Sequence, residues 1–169
     1  MKFSAYMIFI VVWVTLVYAP VAHWVWSENG WLGNLGALDF AGGNVVHINS
    51  GVAALAAALI IGRRLGFGEQ PMPSHNVPMV VLGAGLLWFG WFGFNAGSTT
   101  EASLSIAVIA VTTNLVAAAG AISATILPWL LFGKPDLSMG LNGALAGLVA
   151  ITAGCANVSP LSAVIIGFL

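Results

Sequence analysis

Long apolar runs separated by short breaks rich in Gly, Pro and Asn make up nearly the whole chain. A membrane-spanning helix needs about 20 mostly apolar residues, and the runs have that order of length. The pattern predicts a first helix over 4–26, with Pro20 kinking its outer third. The stretch SENGWLGNLGAL (27–38) reads as loop. A second helix starts near Asp39 or Gly43 and runs to Gly62, where Arg63 and Arg64 stop it. The connector RRLGFGEQPMPSHN leads to a third helix over 77–97. After a turn at 98–101, a fourth covers 102–132. It is longer than one span requires, so it must tilt, bend or protrude, with Gly120 and Pro128 as its weak points. A turn at 133–136 precedes a fifth helix over 138–154. The last run, 161–169, is apolar but too short to span, so the pattern predicts the start of a sixth helix in a longer chain. The fold class expected is all-α, a polytopic membrane helix bundle.

Composition supports this reading. Of 169 residues, 60% are apolar and 5% charged, whereas soluble domains carry about a quarter charged residues. The opening, a lysine followed by an apolar run and small residues, has the outline of a signal peptide. The run outlasts a usual signal core, however, and ends in His23-Trp24-Val25-Trp26. Trp in that place marks a membrane–water interface, so the segment reads as a retained span. Net charge is −1 with no basic run, which argues against nucleic acid as a partner. The single Cys155 leaves no internal disulfide and no cysteine metal cluster.

If five helices alternate in direction, Lys2, Arg63, Arg64 and Lys134 all fall on one side. That is the distribution of a cytoplasmic face. Glu28, Glu101 and Asp39 then belong to the opposite, outer side.

Polar groups inside such helices are costly and mark functional positions. His47 lies eight residues after Asp39, roughly 12 Å along a helix at 1.5 Å per residue, close to mid-membrane. It reads either as a proton and hydrogen-bond relay or as a packing residue satisfied by a carbonyl. Asp39 reads as a helix N-terminal carboxylate that accepts backbone N–H groups, or as a fixed charge that draws cations. At 100° per residue the two side chains differ by about 80° around the axis. In GWFGFNAGS (90–98), Trp91 and Phe94 share a helix face. Aromatic faces attract desolvated cations and close pores to hydrated ions; the plain alternative is an interfacial aromatic belt. Trp26, Asp39, Phe94 and Ser98 all come out on the outer side, which suits a small cation. Gly93–Gly97 and Gly143–Gly147 have the small-residue spacing of close helix packing. His23 and His75 read as interfacial or solvated residues. No HExxH, GxSxG, Walker or CxxC pattern occurs, so nothing reads as an enzyme, and no cofactor or metal is called for.

Four runs carry a resemblance: LVYAPVAHWVW (16–26), GALDFAGGNVVHINSG (36–51), HNVPMVVLGAGLLWFGWFGFNAGS (75–98) and NGALAGLVAITAGCANVSP (142–160). They resemble the ammonium transporter family, Amt/Mep/Rh, and specifically its Amt branch. The resemblance implies an eleven-helix fold in an inverted five-plus-five repeat, assembled as a homotrimer in the bilayer with one pore per subunit. This chain would supply the fourth to eighth helices and the start of the ninth. Trp26, Phe94 and Ser98 match the outer recruitment site for ammonium, with Phe94 one of two gate phenylalanines. Asp39 matches the aspartate that shapes the vestibule, and His47 the first of the twin pore histidines. The loop after Trp26 departs from the family's glycine run, reading Ser27-Glu28-Asn29-Gly30. The implied mechanism is cation recruitment, deprotonation near the gate, and passage of neutral ammonia past the histidines. Rivals are a neutral-gas channel, an ammonium sensor built on the same pore module, and an inactive structural fragment.

Overall fold

The computed structural model describes residues 2–169, all helix and connecting loop, with no strand among them. The chain divides into two compact units, one up to Met72 and one from Pro73 to Leu169. Four helical runs, 3–34, 43–61, 77–99 and 105–132, are long and apolar enough to cross a membrane.

In the first unit α1, Phe3–Trp13, widens into a π-helical turn, Val14–Tyr18, and continues as α2, Ala19–Trp26. The sequence explains where the widening falls. Pro20 has no N–H, and its ring crowds the carbonyl one turn earlier, so the turn before it opens instead of breaking. The helix ends at Ser27, which turns extended and donates both its N–H (3.2 Å) and its Oγ (2.7 Å) to the His23 carbonyl. The stretch 27–38, expected as loop, contains one helical turn, α3, Trp31–Asn34. It lies hard against the end of α2: a Cβ on Gly33 would sit 2.8 Å from the Val25 carbonyl oxygen. The rings of Trp24 and Trp31 meet at 5.9 Å. A second π-helical segment, Gly43–Ile48, leads into α4, Asn49–Ile61. Gly62, at φ +80°, ends α4 before the two arginines, and the Arg63 guanidinium lies 5.9 Å from the Phe67 ring centre.

The second unit begins with α5, Val77–Asn95, whose first turn is capped by Asn76 accepting from the Met79 N–H at 3.0 Å. A 3-10 turn, Ala96–Thr99, follows. Then come α6, Ser105–Phe132; α7, Leu137–Ile151; and α8, Pro160–Phe168. Asp136 caps α7 by accepting the Ser138 and Met139 N–H groups, and Ser159 caps α8 by accepting the Ser162 N–H. These short polar residues stand where four N–H groups would otherwise go unpaired.

Helix α6 runs unbroken through Gly120 and Pro128, the two positions expected to weaken it. Gly120 serves a different purpose. A Cβ there would collide with the Gly143 carbonyl oxygen of α7. One on Gly147 would lie 2.6 Å from the Val116 carbonyl oxygen, and one on Gly167 of α8 would lie 2.5 Å from the same atom. Among membrane helices such close backbone approach replaces the hydrophobic effect as the source of cohesion. The Gly143–Gly147 spacing is therefore a packing seam. At Gly93 and Gly97 a Cβ would meet no atom of the described residues within 4 Å, so that spacing forms no seam within this unit. Hydroxyls on the inner face of α6 add to the seam. Thr112 Oγ1 shares its proton between the Ile109 and Cys155 carbonyls, each at 3.1 Å, and Ser123 Oγ between the Gly120 (3.2 Å) and Gly167 (3.3 Å) carbonyls.

Cys155 is fully buried beyond the end of α7, and burial pushes its thiol up to about 11. In the full-length protein it is therefore expected to resist maleimide at pH 7–8 until the protein is unfolded, as counted by mass spectrometry. Gly147→Leu should lower the stability of the full-length protein in detergent by about 1–3 kcal/mol or more, read as a fall in thermal unfolding temperature.

Candidate functional site

In the first unit the site is organised by Asp39. Its side chain is nearly buried, at 8% exposure, and it accepts three backbone N–H groups: Gly42 at 3.1 Å, Asn44 at 3.0 Å and Val45 at 3.0 Å. Those are the orphan donors at the start of the helix that carries His47. A carboxylate there is held both by charge-assisted hydrogen bonds and by the helix dipole. Such a cap requires a sharp chain reversal between Asp39 and Gly43, which Gly42 makes at φ +108°. A Cβ at Gly42 would also lie 2.7 Å from Val46 Cγ2.

The reversal fixes the next segment. Both the Val46 N–H (2.8 Å) and the His47 N–H (3.1 Å) donate to the Gly42 carbonyl, so the helix starts with a π-turn and His47 stands within it. A π-turn holds one residue more per hydrogen-bonded ring than an α-turn. The 80° offset between Asp39 and His47, which assumes α-helical phase, therefore does not apply. Carbonyls loosened by the wide turn find side-chain donors: Asn49 Nδ2 donates to Val45 O (3.3 Å) and Ser50 Oγ to His47 O (3.1 Å). His47 itself is half-buried.

Trp26 is tied to the same element. Its indole N–H donates to the Asp39 carbonyl at 2.7 Å, while the ring is 47% exposed. One residue thus caps the His47 helix with its carboxylate and orients an exposed indole face with its backbone.

In the second unit Phe94 and Ser98 lie one turn apart where α5 tightens into the 3-10 turn. Ser98 Oγ donates to the Phe94 carbonyl at 2.6 Å. A serine hydroxyl has one proton and two lone pairs. With the proton held by Phe94, the oxygen faces any further partner as an acceptor only. Phe94 is 37% exposed, and its ring meets that of Trp91 at 5.3 Å and a 40° tilt. Beneath them Asn95 is fully buried, and its Nδ2 donates to Thr113 Oγ1 of α6 at 3.1 Å. Trp91 donates from Nε1 to Thr152 Oγ1 at 3.2 Å.

The structure thus joins Trp26 to Asp39, and Asp39 to the turn that bears His47. It joins Phe94 to Ser98. His23 and His75 are exposed and enter neither group. The residues that brace the second group, Asn95, Thr113 and Thr152, were not singled out from the sequence. The signal for them was present: each is a polar side chain inside a predicted apolar span, where an unpaired hydroxyl or amide is costly.

These features define a polytopic all-α membrane protein. The family model described as Ammonium Transporter Family matches residues 1–169, and the chain belongs to that family. It is 50% identical over 167 residues to an ammonium transporter of Aquifex aeolicus, covering 99% of this chain and 38% of the relative. It is 49% identical over 182 residues to ammonium transporter Amt2 of Archaeoglobus fulgidus, covering 98% and 39%. The crystal structure of Candida albicans Mep2 superposes with a TM-score of 0.94 at 43% identity, covering 99% of this chain and 38% of that one. The chain spans about two fifths of the length of these relatives.

Asp39→Ala leaves three buried or half-buried N–H groups without their acceptor and should destabilise the full-length protein by about 2–4 kcal/mol. Asp39→Asn keeps one acceptor oxygen and should cost less. Unfolding temperature and membrane yield of the two variants, side by side, check both expectations.

Proposed function

We propose that the full-length protein carrying this chain transports ammonium across a membrane, as family membership suggests. The cation is recruited at an outer vestibule, loses a proton, and passes as neutral ammonia through an apolar pore. Selectivity over potassium follows, since potassium has no proton to give up. Moving the intact charge through hydrocarbon would cost at least a few kcal/mol.

The observation that carries this reading is the turn from Phe94 to Ser98. It offers an aromatic face beside a hydroxyl oxygen restricted to accepting. A small cation with N–H donors suits both, through cation–π attraction and a hydrogen bond. A neutral gas needs neither. Trp26, whose indole is held by Asp39, supplies a further π-face for recruitment in this reading. Asp39 acts as a structural carboxylate, since three N–H groups already occupy it. His47 takes the role of hydrogen-bond and proton relay along the pore. Lys2, Arg63, Arg64 and Lys134 belong to the cytoplasmic side, and the complete protein assembles as a homotrimer in the cell membrane.

Uptake of labelled methylammonium and ammonium-evoked current, measured on the full-length protein in cells lacking other ammonium transporters, test the proposal. Ser98→Ala should raise KM roughly tenfold with little change in maximal rate, the loss of one hydrogen bond to a charged ligand. His47→Ala should alter the current. Unchanged current and uptake in His47→Ala would refute the relay, and absence of any uptake by the wild type would refute transport.

A further inference from the structure

The Phe94 ring is held by a chain of contacts that reaches another helix. Its tilted partner is the Trp91 ring, one turn earlier on the same face of α5. Trp91 Nε1 donates to Thr152 Oγ1 at 3.2 Å. Thr152 stands at the end of α7, is fully buried, and donates its own proton to the Leu148 carbonyl at 2.6 Å. The hydroxyl is therefore oriented: its proton points back along α7 and its lone pairs point to the indole. Immediately beyond, Thr112 of α6 clamps the turn through the Cys155 carbonyl at 3.1 Å. Thr152 thus sits on a fixed platform, while the ring at the other end of the chain is partly exposed.

Indole is donor-only and has a single N–H, so one acceptor decides which way the ring plane faces. A stacked or tilted aromatic neighbour adapts to that plane, since such pairs hold preferred offsets. We propose that Thr152 is a positioning residue for the aromatic gate: its hydroxyl fixes Trp91, and Trp91 fixes the ring of Phe94. Thr152 never meets the substrate in this arrangement. It acts on recruitment from a different helix, and α7 thereby sets the geometry of a site built on α5. The inference rests on the transport reading for its functional consequence and on the hydrogen bond alone for its structural one.

Three variants of the full-length protein separate the possibilities. Thr152→Val keeps the shape and removes the acceptor; Thr152→Ser keeps the acceptor; Trp91→Phe removes the donor. At matched membrane abundance, Thr152→Val should raise KM for methylammonium by about three- to tenfold, the effect of one buried hydrogen bond. Thr152→Ser should stay within about twofold of wild type. The double variant Thr152→Val/Trp91→Phe should be no worse than the poorer single one, because both break the same contact. In protein labelled with nitrogen-15 at Trp, the indole resonance lost in Trp91→Phe should shift in Thr152→Val and hold in Thr152→Ser. An unshifted resonance overturns the positioning role whether or not the protein transports ammonium. A shifted resonance with unchanged KM overturns its link to the gate. Lower abundance with unchanged KM reduces Thr152 to a packing residue and also overturns it. Wild-type protein without uptake removes the functional consequence, together with the transport reading.

Discussion

In an apolar surround a backbone N–H has no water to turn to, and Asp39 answers that constraint for three of them at once. Its carboxylate closes the start of a membrane helix, and the reversal needed to do so places a positive-φ glycine at position 42. From that reversal come the wide first turn, the placement of His47, and the backbone carbonyl that holds Trp26. A charge inside a membrane protein is commonly read as a ligand for substrate. Here its oxygens already have partners, and its influence passes through the backbone it organises.

The second unit solves the same problem with hydroxyls. Ser98, Thr112, Ser123 and Thr152 each give their proton to a main-chain carbonyl. On Ser98 and Thr152, each with a single acceptor, what remains is lone pairs with a defined direction. Small residues then let the helices approach until carbonyl oxygens face Cα atoms, as at Gly120, Gly143 and Gly147. Close approach and oriented hydroxyls work together, because a short threonine or serine reaches across only when the backbones are near.

Much of this was legible in the sequence. The apolar runs announced helices because nothing but a closed hydrogen-bond pattern survives in lipid, and Asp39 at the mouth of a span admitted a capping role beside that of a fixed charge. Three features were not legible. The widening at Val14–Tyr18 and Gly43–Ile48 follows from where hydrogen bonds close, and hydropathy carries no record of that. The difference between Gly93 and Gly143, both members of a four-residue glycine spacing, depends on which neighbour lies opposite. Gly120 looked like a flaw in a long helix, whereas its missing side chain is what admits α7. The candidate site residues Trp26, Asp39, Phe94 and Ser98 could be named from motifs, whereas Thr152 was hidden among small apolar residues. Its partner is a tryptophan 61 positions away in the chain.

The π-turn at Gly43–Ile48 has an evolutionary consequence. A wide turn accommodates one residue more than an α-turn, so everything from Asn49 onward is rotated relative to a straight α-helix beginning at the same cap. Side chains there can be exchanged one at a time at modest cost. Losing a residue in the wide turn would let it close to an α-turn and leave α4 in phase, whereas gaining one would swing the whole of α4 by about 100° and present a different face to its surroundings. The short stretch after Asp39 is therefore asymmetric in what it tolerates: Gly42 is held to glycine by its backbone, and the turn that follows can give up a residue more readily than it can take one.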